Sequence, residues 1–472
     1  MIAFASLFLG LLVGVRPVTV VVGAPVASVV FQLDGKEVGK LSKAPWSLDV
    51  DFGSEFSPHE LVARAFDDKG AELGTARQWL NLPRPPAEVE VVLERDAQGR
   101  AVAAHLTWQS VLGAKPTKVA VTFDGKPLAL DAAQRVAIPV YDPAALHVLT
   151  ASLEYPNDVR TRSDLVIGGG SASETKTELT AVPIATKKAK APKIDTLRGR
   201  FRKKDGEPLT VAAVEHGPAE VLVVRDLDSK EAQRVLRKIA GNRASTGGFT
   251  GSTRDPGYGG YRMSLDPDDR MRILWPVANQ VVDSGISNDL FESSHAFAGW
   301  MSDFRFLLTR VDYPGNTDRP RRYADAVALA GLRAFGGYSR RAVVLVLGTD
   351  PKDESLYRPA AVRRYLELLR VPLFVWSFSS AEKRSRALAE WGEIEDISTV
   401  TGLEHAVEKL RDELDHQSIV WLEGRHLPQD IELTGTSDGT SLVACWEPTS
   451  GTGTSPAPTD GAFVAAALAA AR

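Results

Sequence analysis

The chain has 472 residues, too long for one ordinary domain and suited to roughly three folding units. With 44% hydrophobic and 25% charged residues it is neither wholly disordered nor a polytopic membrane protein. A net charge of -4 argues against a nucleic-acid binder, which needs clustered excess Lys and Arg, and a single cysteine, Cys445, excludes an internal disulfide framework or a Cys-rich zinc site.

Residues 1–15 are uncharged and largely apolar, with the length of a signal-peptide core but no basic residue before it. They are read as a secretion signal, which places the mature chain in the periplasm, in the envelope or outside the cell. The alternative is a first buried strand in a cytoplasmic protein. Nothing else in the sequence is long and apolar enough to span a bilayer.

Residues 16–83 carry short β-rich runs, Val18 to Val22, Val29 to Leu33 and Leu61 to Phe66, separated by turn signals. Asp34-Gly35 between Phe31-Gln32-Leu33 and Lys36-Glu37-Val38 predicts a hairpin, because a primed turn needs the positive φ that Asp and Gly tolerate. Val121 to Lys126 repeats this pattern about ninety residues later, a spacing that suits one module length. Ser57-Pro58 leads into Leu61-x-Ala63-x-Ala65 much as Asp142-Pro143 leads into Leu149-x-Ala151-x-Leu153. The echo predicts two copies of one Ig-like β-sandwich, at 16–83 and 84–170, divided at Pro83-Arg84-Pro85-Pro86.

Residues 171–205 read as a connector. Lys187, Lys188, Lys190, Lys193, Arg198, Arg200 and Arg202 to Lys204 face only Asp195 there, and Pro192 and Gly199 interrupt any helix that would display them on one face. This is taken as a solvated basic linker in preference to a site for an anionic lipid surface.

From 206 to 428 unbroken apolar runs alternate with helical patterns. Val221 to Val224, Ile273 to Val277, Ala342 to Leu347, Val371 to Trp376 and Ile419 to Leu422 read as strands buried on both faces. Leu403, Val407, Leu410 and Leu414 mark one amphipathic helix, Val362, Leu366 and Leu369 a second, and Val235, Leu236 and Ile239 a third. This alternation predicts a doubly wound, Rossmann-like α/β domain with an exposed insertion at Gly241 to Gly260. Residues 429–472 form an extension, partly of low complexity.

Ligands of such a sheet sit at the carboxyl ends of its strands, which singles out Arg225 to Lys230 and Gly348 to Asp353. Their carboxylates suit a hard cation, Mg²⁺ or Ca²⁺, bound through oxygen, or else are solvated loop charges. The region from Leu209 to Gly424 resembles a von Willebrand factor A (vWA) domain. With the two β-modules and the Thr177 to Pro183 connector before it, the chain resembles the bacterial VWFA-related proteins over roughly Arg16 to Pro428. The resemblance implies a metal-ion-dependent adhesion site made by an Asp-x-Ser-x-Ser loop, a Thr and a further Asp. Carried over, the loop falls on Asp226, Asp228 and Lys230, with Ser229 between; the Thr falls on Arg321, and the further Asp on Asp350. Lys and Arg at two ligand positions imply a degenerate site closed by internal ion pairs and no bound cofactor.

Catalytic patterns are weak. The eight histidines form no His-Glu-x-x-His motif, and His405 and His416 would lie about 16 Å apart along a helix. The glycines at 247–248 and 259–260 lack the Lys-Ser/Thr of a phosphate loop. Trp275, Trp376 and Trp421 fall inside expected strands and read as core, and Cys445 as a small buried hydrophobe. The expected function is therefore non-catalytic: an adhesive or scaffold protein with an unidentified protein partner, the sandwiches acting as spacers. The competing class is a metal-dependent hydrolase built on Asp226, Asp228 and Asp350.

Overall fold

The computed structural model describes residues 2–5, 11–22, 26–83, 87–96, 98, 100–110, 115–124, 126–132, 134–144, 146–155, 160–168, 179–226, 263–278, 291–311, 313, 315, 319–337, 339–380, 384–435 and 439–444. The first sandwich has strands β1 (Ile2–Phe4), β2 (Val15–Val22), β3 (Ser28–Leu33), β4 (Lys36–Leu41), β5 (Ser47–Asp51), β6 (His59–Phe66) and β7 (Glu72–Leu80). One sheet is ordered β1-β2-β5 and the other β4-β3-β6-β7. Alternate residues of both sheets, among them Val18, Val20, Phe31, Val50, Leu61 and Ala63, meet in one core. The segment expected to be a leader contributes to it: Ile2–Phe4 pairs with Val20 to Val22, and Ile2 and Leu12 are buried.

The second sandwich has β8 (Ala87–Arg95), β9 (Ala101–Ser110), β10 (Lys118–Phe123), β11 (Lys126–Leu128), β12 (Arg135–Ala137), β13 (Leu146–Glu154) and β14 (Arg160–Gly168). Its sheets, β12-β9-β8 and β11-β10-β13-β14, repeat the topology of the first strand for strand. In each copy the central hairpin closes over two residues, and Asp34 and Asp124 both take positive φ, 50° and 51°. Positive φ at the first central residue is what a type I′ turn requires.

The C-terminal half runs through β15 (Leu179–Ala185), β16 (Phe201–Lys203), β17 (Val211–Glu215), β18 (Ala219–Arg225), β19 (Arg270–Ala278), β20 (Phe291–Ser293), β21 (Phe297–Ala298), α1 (Phe304–Arg310), α2 (Tyr323–Gly336), β22 (Arg340–Leu347), α3 (Pro359–Leu368), β23 (Leu373–Ser377), α4 (Arg386–Ala389), β24 (Glu395–Asp396), α5 (Val400–His416), β25 (Gln417–Glu423), β26 (Ile431–Leu433) and β27 (Ser441–Leu442). Its main sheet is ordered β20-β19-β18-β22-β23-β24, with β21 also on β19. From β19 to β24 every neighbour is parallel, and only the short β20 and β21 run against them. Numbered along the chain, the parallel strands lie 2-1-3-4-5, so the order reverses between β18 and β22. All eight residues of β22 are buried. Val344 and Val346 face α1 and α5, whereas Val343, Leu345 and Leu347 face α2 and α3, as the two-residue period demands.

Two expectations need correction. Ile419 to Leu422 is a buried strand but belongs to another sheet, antiparallel and ordered β17-β25-β15-β27. An apolar run reports burial on two faces, not which sheet supplies them. The connector is accordingly not a plain linker: Leu179–Ala185 pairs along the whole of β25, and Leu197 and Phe201 are buried in the same small core. The extension is structured at its start, where β26 pairs with β16 and β27 with β15. The expected helix at Val235 to Ile239, the Gly241 to Gly260 insertion and Cys445 lie outside the described residues.

Nor is the first sandwich a detached spacer. Phe56 and Leu82 are buried in the α2–α3 side of the main core, with Leu11 and Trp79 packed against it. Phe56 meets the ring of Tyr357 edge-on at 4.0 Å, and the buried Tyr365 hydroxyl donates to Asn81 O at 2.8 Å. Arg425 lies over Trp79, and Gln429 donates to Pro58 O. The second sandwich keeps a core of its own.

Candidate functional site

The point where the strand order reverses puts the carboxyl ends of β18 and β22 side by side. Asp226 continues β18 by one residue, its N–H donating to Val346 O at 2.8 Å. Its side chain is nearly enclosed, 7% exposed overall. One carboxylate oxygen accepts from the Tyr323 hydroxyl at 2.8 Å and the other from the Gly348 N–H at 3.1 Å. Burial, and then the charge of Asp226, push the Tyr323 hydroxyl far up, with Arg321 acting in the opposite direction. The phenol therefore stays neutral and can serve Asp226 as a donor.

Tyr323 is held there by an unusual cap. Arg322, the residue before α2, offers no capping side chain. The donors at the start of α2 are taken instead by the strap that runs from Gly348 to Arg358. Asp353 accepts from the Tyr323 and Ala324 N–H groups at 2.9 and 3.2 Å, and Ser355 Oγ accepts from the Asp325 N–H at 3.1 Å. Asp325 answers by accepting from the Leu356 and Tyr357 N–H groups and from Arg322. Burial raises the Asp325 carboxyl against the opposing pull of these donors. Asp353, Ser355 and Tyr357 thus point toward α2 and its surroundings. The alternating Lys352, Glu354, Leu356 and Arg358 point outward, Leu356 being 77% exposed.

Of the residues singled out for the site, Asp226 stands at the strand end as expected. Asp350 lies on the loop after β22 but is exposed. Arg321 is buried, its backbone bridging Val277 and accepting from the Glu354 N–H, and its Nη1 donates to Arg319 O at 2.6 Å. Asp228, Ser229 and Lys230 lie outside the described residues. Arg225 reaches across the other face of the sheet, where Nη1 donates to Leu307 O and Val311 O and the guanidinium sits 5.7 Å over Trp275. Among the described residues no group of three or more His, Cys, Asp or Glu could hold a metal ion. Both carboxylate oxygens of Asp226 already accept hydrogen bonds, so a cation at this position would compete with the Tyr323 hydroxyl and the Gly348 N–H.

Sequence reasoning passed over Tyr323 and Ser355, and it named Asp353 only as one of the loop carboxylates suited to a cation, not as a cap of α2. A spacing signal existed only for Asp353 and Ser355, Asp-x-Ser next to a poorly capped helix. The catalytic patterns weighed in the sequence were also taken to include no nucleophile elbow, which is wrong, because Gly435-Thr436-Ser437-Asp438-Gly439 has that spacing. The chain enters that string from β26 and continues to β27, so among the described residues it lacks the helix that such an elbow opens; residues 436–438 lie outside them.

No family model matches the chain, and no curated protein does. Solved structures similar to it include fibronectin(III)-like modules of Clostridium thermocellum CbhA, at 20% identity over 17% of this chain and 93% of that one, TM-score 0.15. Proximal thread matrix protein 1 of the mussel byssus, with a zinc-occupied MIDAS motif, is similar at 12% identity over 42% of this chain and 48% of that one, TM-score 0.25. The central fibronectin-III array of RIM-binding protein is similar at 9% identity over 39% and 77%, TM-score 0.23. This chain thus spans about half of the mussel protein. Among the described residues, no helix is long and apolar enough to cross a membrane.

Proposed function

We propose that the chain is an extracytoplasmic, non-catalytic protein-binding or scaffold protein: two Ig-like modules and a vWA-like domain whose adhesion site no longer takes a metal. The observation that carries this reading is the occupation of Asp226 by the Tyr323 hydroxyl and the Gly348 N–H. A carboxylate satisfied in this way would have to give up hydrogen bonds before it could ligate an ion. Recognition then falls to side chains at the carboxyl end of the sheet, and the outward residues of the strap, Lys352, Glu354 and Leu356, supply charge and an apolar contact there.

Calorimetric titration of the full chain with Mg²⁺ or Mn²⁺ tests the reading. The expected result is no saturable heat; micromolar binding that disappears in Asp226→Ala would overturn it and favour the metal-dependent hydrolase. Mass determination of the N-terminus tests the location: loss of residues 1–15 would support secretion and would also take Ile2, Leu11 and Leu12 out of the first sandwich, whereas an intact Met1 would remove secretion and leave the contacts of Leu11 and Leu12 in place.

A further inference from the structure

We propose that the strap from Gly348 to Arg358 couples the Asp226 end of the sheet energetically to the docking of the first sandwich. Both ends of the connection rest on directional contacts. At one end the Tyr323 hydroxyl holds Asp226, and the first three N–H groups of α2 are capped by Asp353 and Ser355. At the other end Tyr357, two residues beyond Ser355, packs its ring on Phe56 at 4.0 Å and directs its hydroxyl at Leu11 O, 3.5 Å away.

Leu12 is the next residue, and it is gripped by Asn81. Leu12 N–H donates to Asn81 Oδ1 at 2.8 Å, and Asn81 Nδ2 donates to Leu12 O at 3.0 Å and to Ser57 O at 2.8 Å. The Asn81 carbonyl in turn accepts from Tyr365 on α3, whose ring lies 5.6 Å from that of Phe56. The strap is thus a crosspiece: releasing the Asp325 and Asp353 contacts at the start of α2 frees Tyr357, and freeing Tyr357 removes one wall of the Phe56 socket. Residues joined through shared partners in this way respond non-additively to substitution. The coupling stands without any ligand; that a bound protein gripping Leu356 would act on the first sandwich through it rests on the function proposed above.

Hydrogen exchange of the full chain tests the coupling without a partner. In Tyr323→Phe the amides of Leu356 and Tyr357 and the distant amide of Leu12 are expected to exchange at least about threefold faster. In Phe56→Leu the Gly348 amide, bonded to Asp226, is expected to exchange faster as well. In the double variant the Leu12 rate should depart from the product of the two single effects by about threefold or more. Val407→Ala weakens the opposite face of the sheet and serves as the control. Acceleration in Tyr323→Phe that stops at Gly348 and the first turn of α2, multiplicative effects in the double variant, or equal acceleration of Leu12 in the control would each overturn the proposal. None of these outcomes depends on metal binding, so its failure is distinct from failure of the proposed function.

Discussion

The imidazole of His59 lies 2.7 Å through Nδ1 from the Asp34 carboxylate, and His147 holds Asp124 at the same distance through the same nitrogen in the second sandwich. Each pair fastens β6 or β13 to the aspartate of the neighbouring hairpin turn. His59 Nε2 also meets Ser57 Oγ at 2.8 Å, which completes a Ser-His-Asp chain. In the second copy the same ring nitrogen meets the Asp142 backbone carbonyl at 3.0 Å, with no hydroxyl. A feature that both copies keep while only one has the serine is a turn staple, so Ser57→Ala is expected to change no hydrolytic activity in an ester-substrate assay.

The staple has a pH signature. The hydrogen bond to Asp124 raises the His147 pKa above its ordinary value, with burial opposing. A group whose folded pKa is raised stabilises fully below the unfolded value, about 6.5, and that contribution is lost as pH rises through the higher folded value. Titration of the His147 ring by NMR should give a midpoint above that of an exposed histidine, and Asp124→Asn should bring it down. A midpoint unchanged by Asp124→Asn would refute the staple.

The duplication was legible because it left a local mark, Asp-Gly after an apolar run, and local backbone geometry enforces such a mark. The doubly wound sheet was legible because strands covered on both faces need unbroken apolar runs, as in β22. The site was legible only in part. Asp226 follows its strand and could be placed by counting, but its occupant, Tyr323, reads in sequence as one more apolar residue of an alanine-rich helix. The docking of the first sandwich was illegible: Asn81 and Tyr365 are 284 residues apart, and no short-range pattern links them. The fate of Ile419 to Leu422 was hidden for the same reason, since its partners Leu179–Ala185 and Val211–Glu215 precede the whole α/β region.

Arg340 and Asp269 form an ion pair at the opposite end of the sheet, 3.0 Å apart with side chains 5% and 3% exposed. The same arginine donates to Gly217 O and Leu414 O, and Asp269 accepts from the Ala219 N–H. Removing one partner leaves a buried charge uncompensated, so Arg340→Met is expected to cost about 3–5 kcal/mol in denaturant unfolding. Adding Asp269→Asn should recover part of that loss, whereas a double variant no better than Arg340→Met would show that the arginine acts through its carbonyl contacts and Asp415, 3.9 Å away, not through Asp269.

Asp226→Ala should destabilise the α/β region by about 1–3 kcal/mol, because it strands the Tyr323 hydroxyl and the Gly348 N–H in a buried position. Asp226→Asn keeps the shape and an acceptor and should cost less. The two variants separate by their unfolding midpoints; equal losses would mean that the negative charge, not the acceptor geometry, holds the strand ends together.

Phe56 is the apolar key of the docked sandwich, 2% exposed and enclosed by Tyr357 and Tyr365. Truncation to Ala removes most of a buried ring and leaves a cavity, a change that costs about 3–5 kcal/mol in a well-packed core. The loss should fall on docking more than on folding, because the first sandwich keeps its own core of Val18, Phe31, Val50 and Leu61. Limited proteolysis distinguishes the two. Phe56→Ala is expected to speed cleavage in the docking segment around Phe56, between β5 and β6, while the hairpin at Asp34 stays resistant, and equal loss of resistance at Asp34 would show that Phe56 supports the sandwich itself.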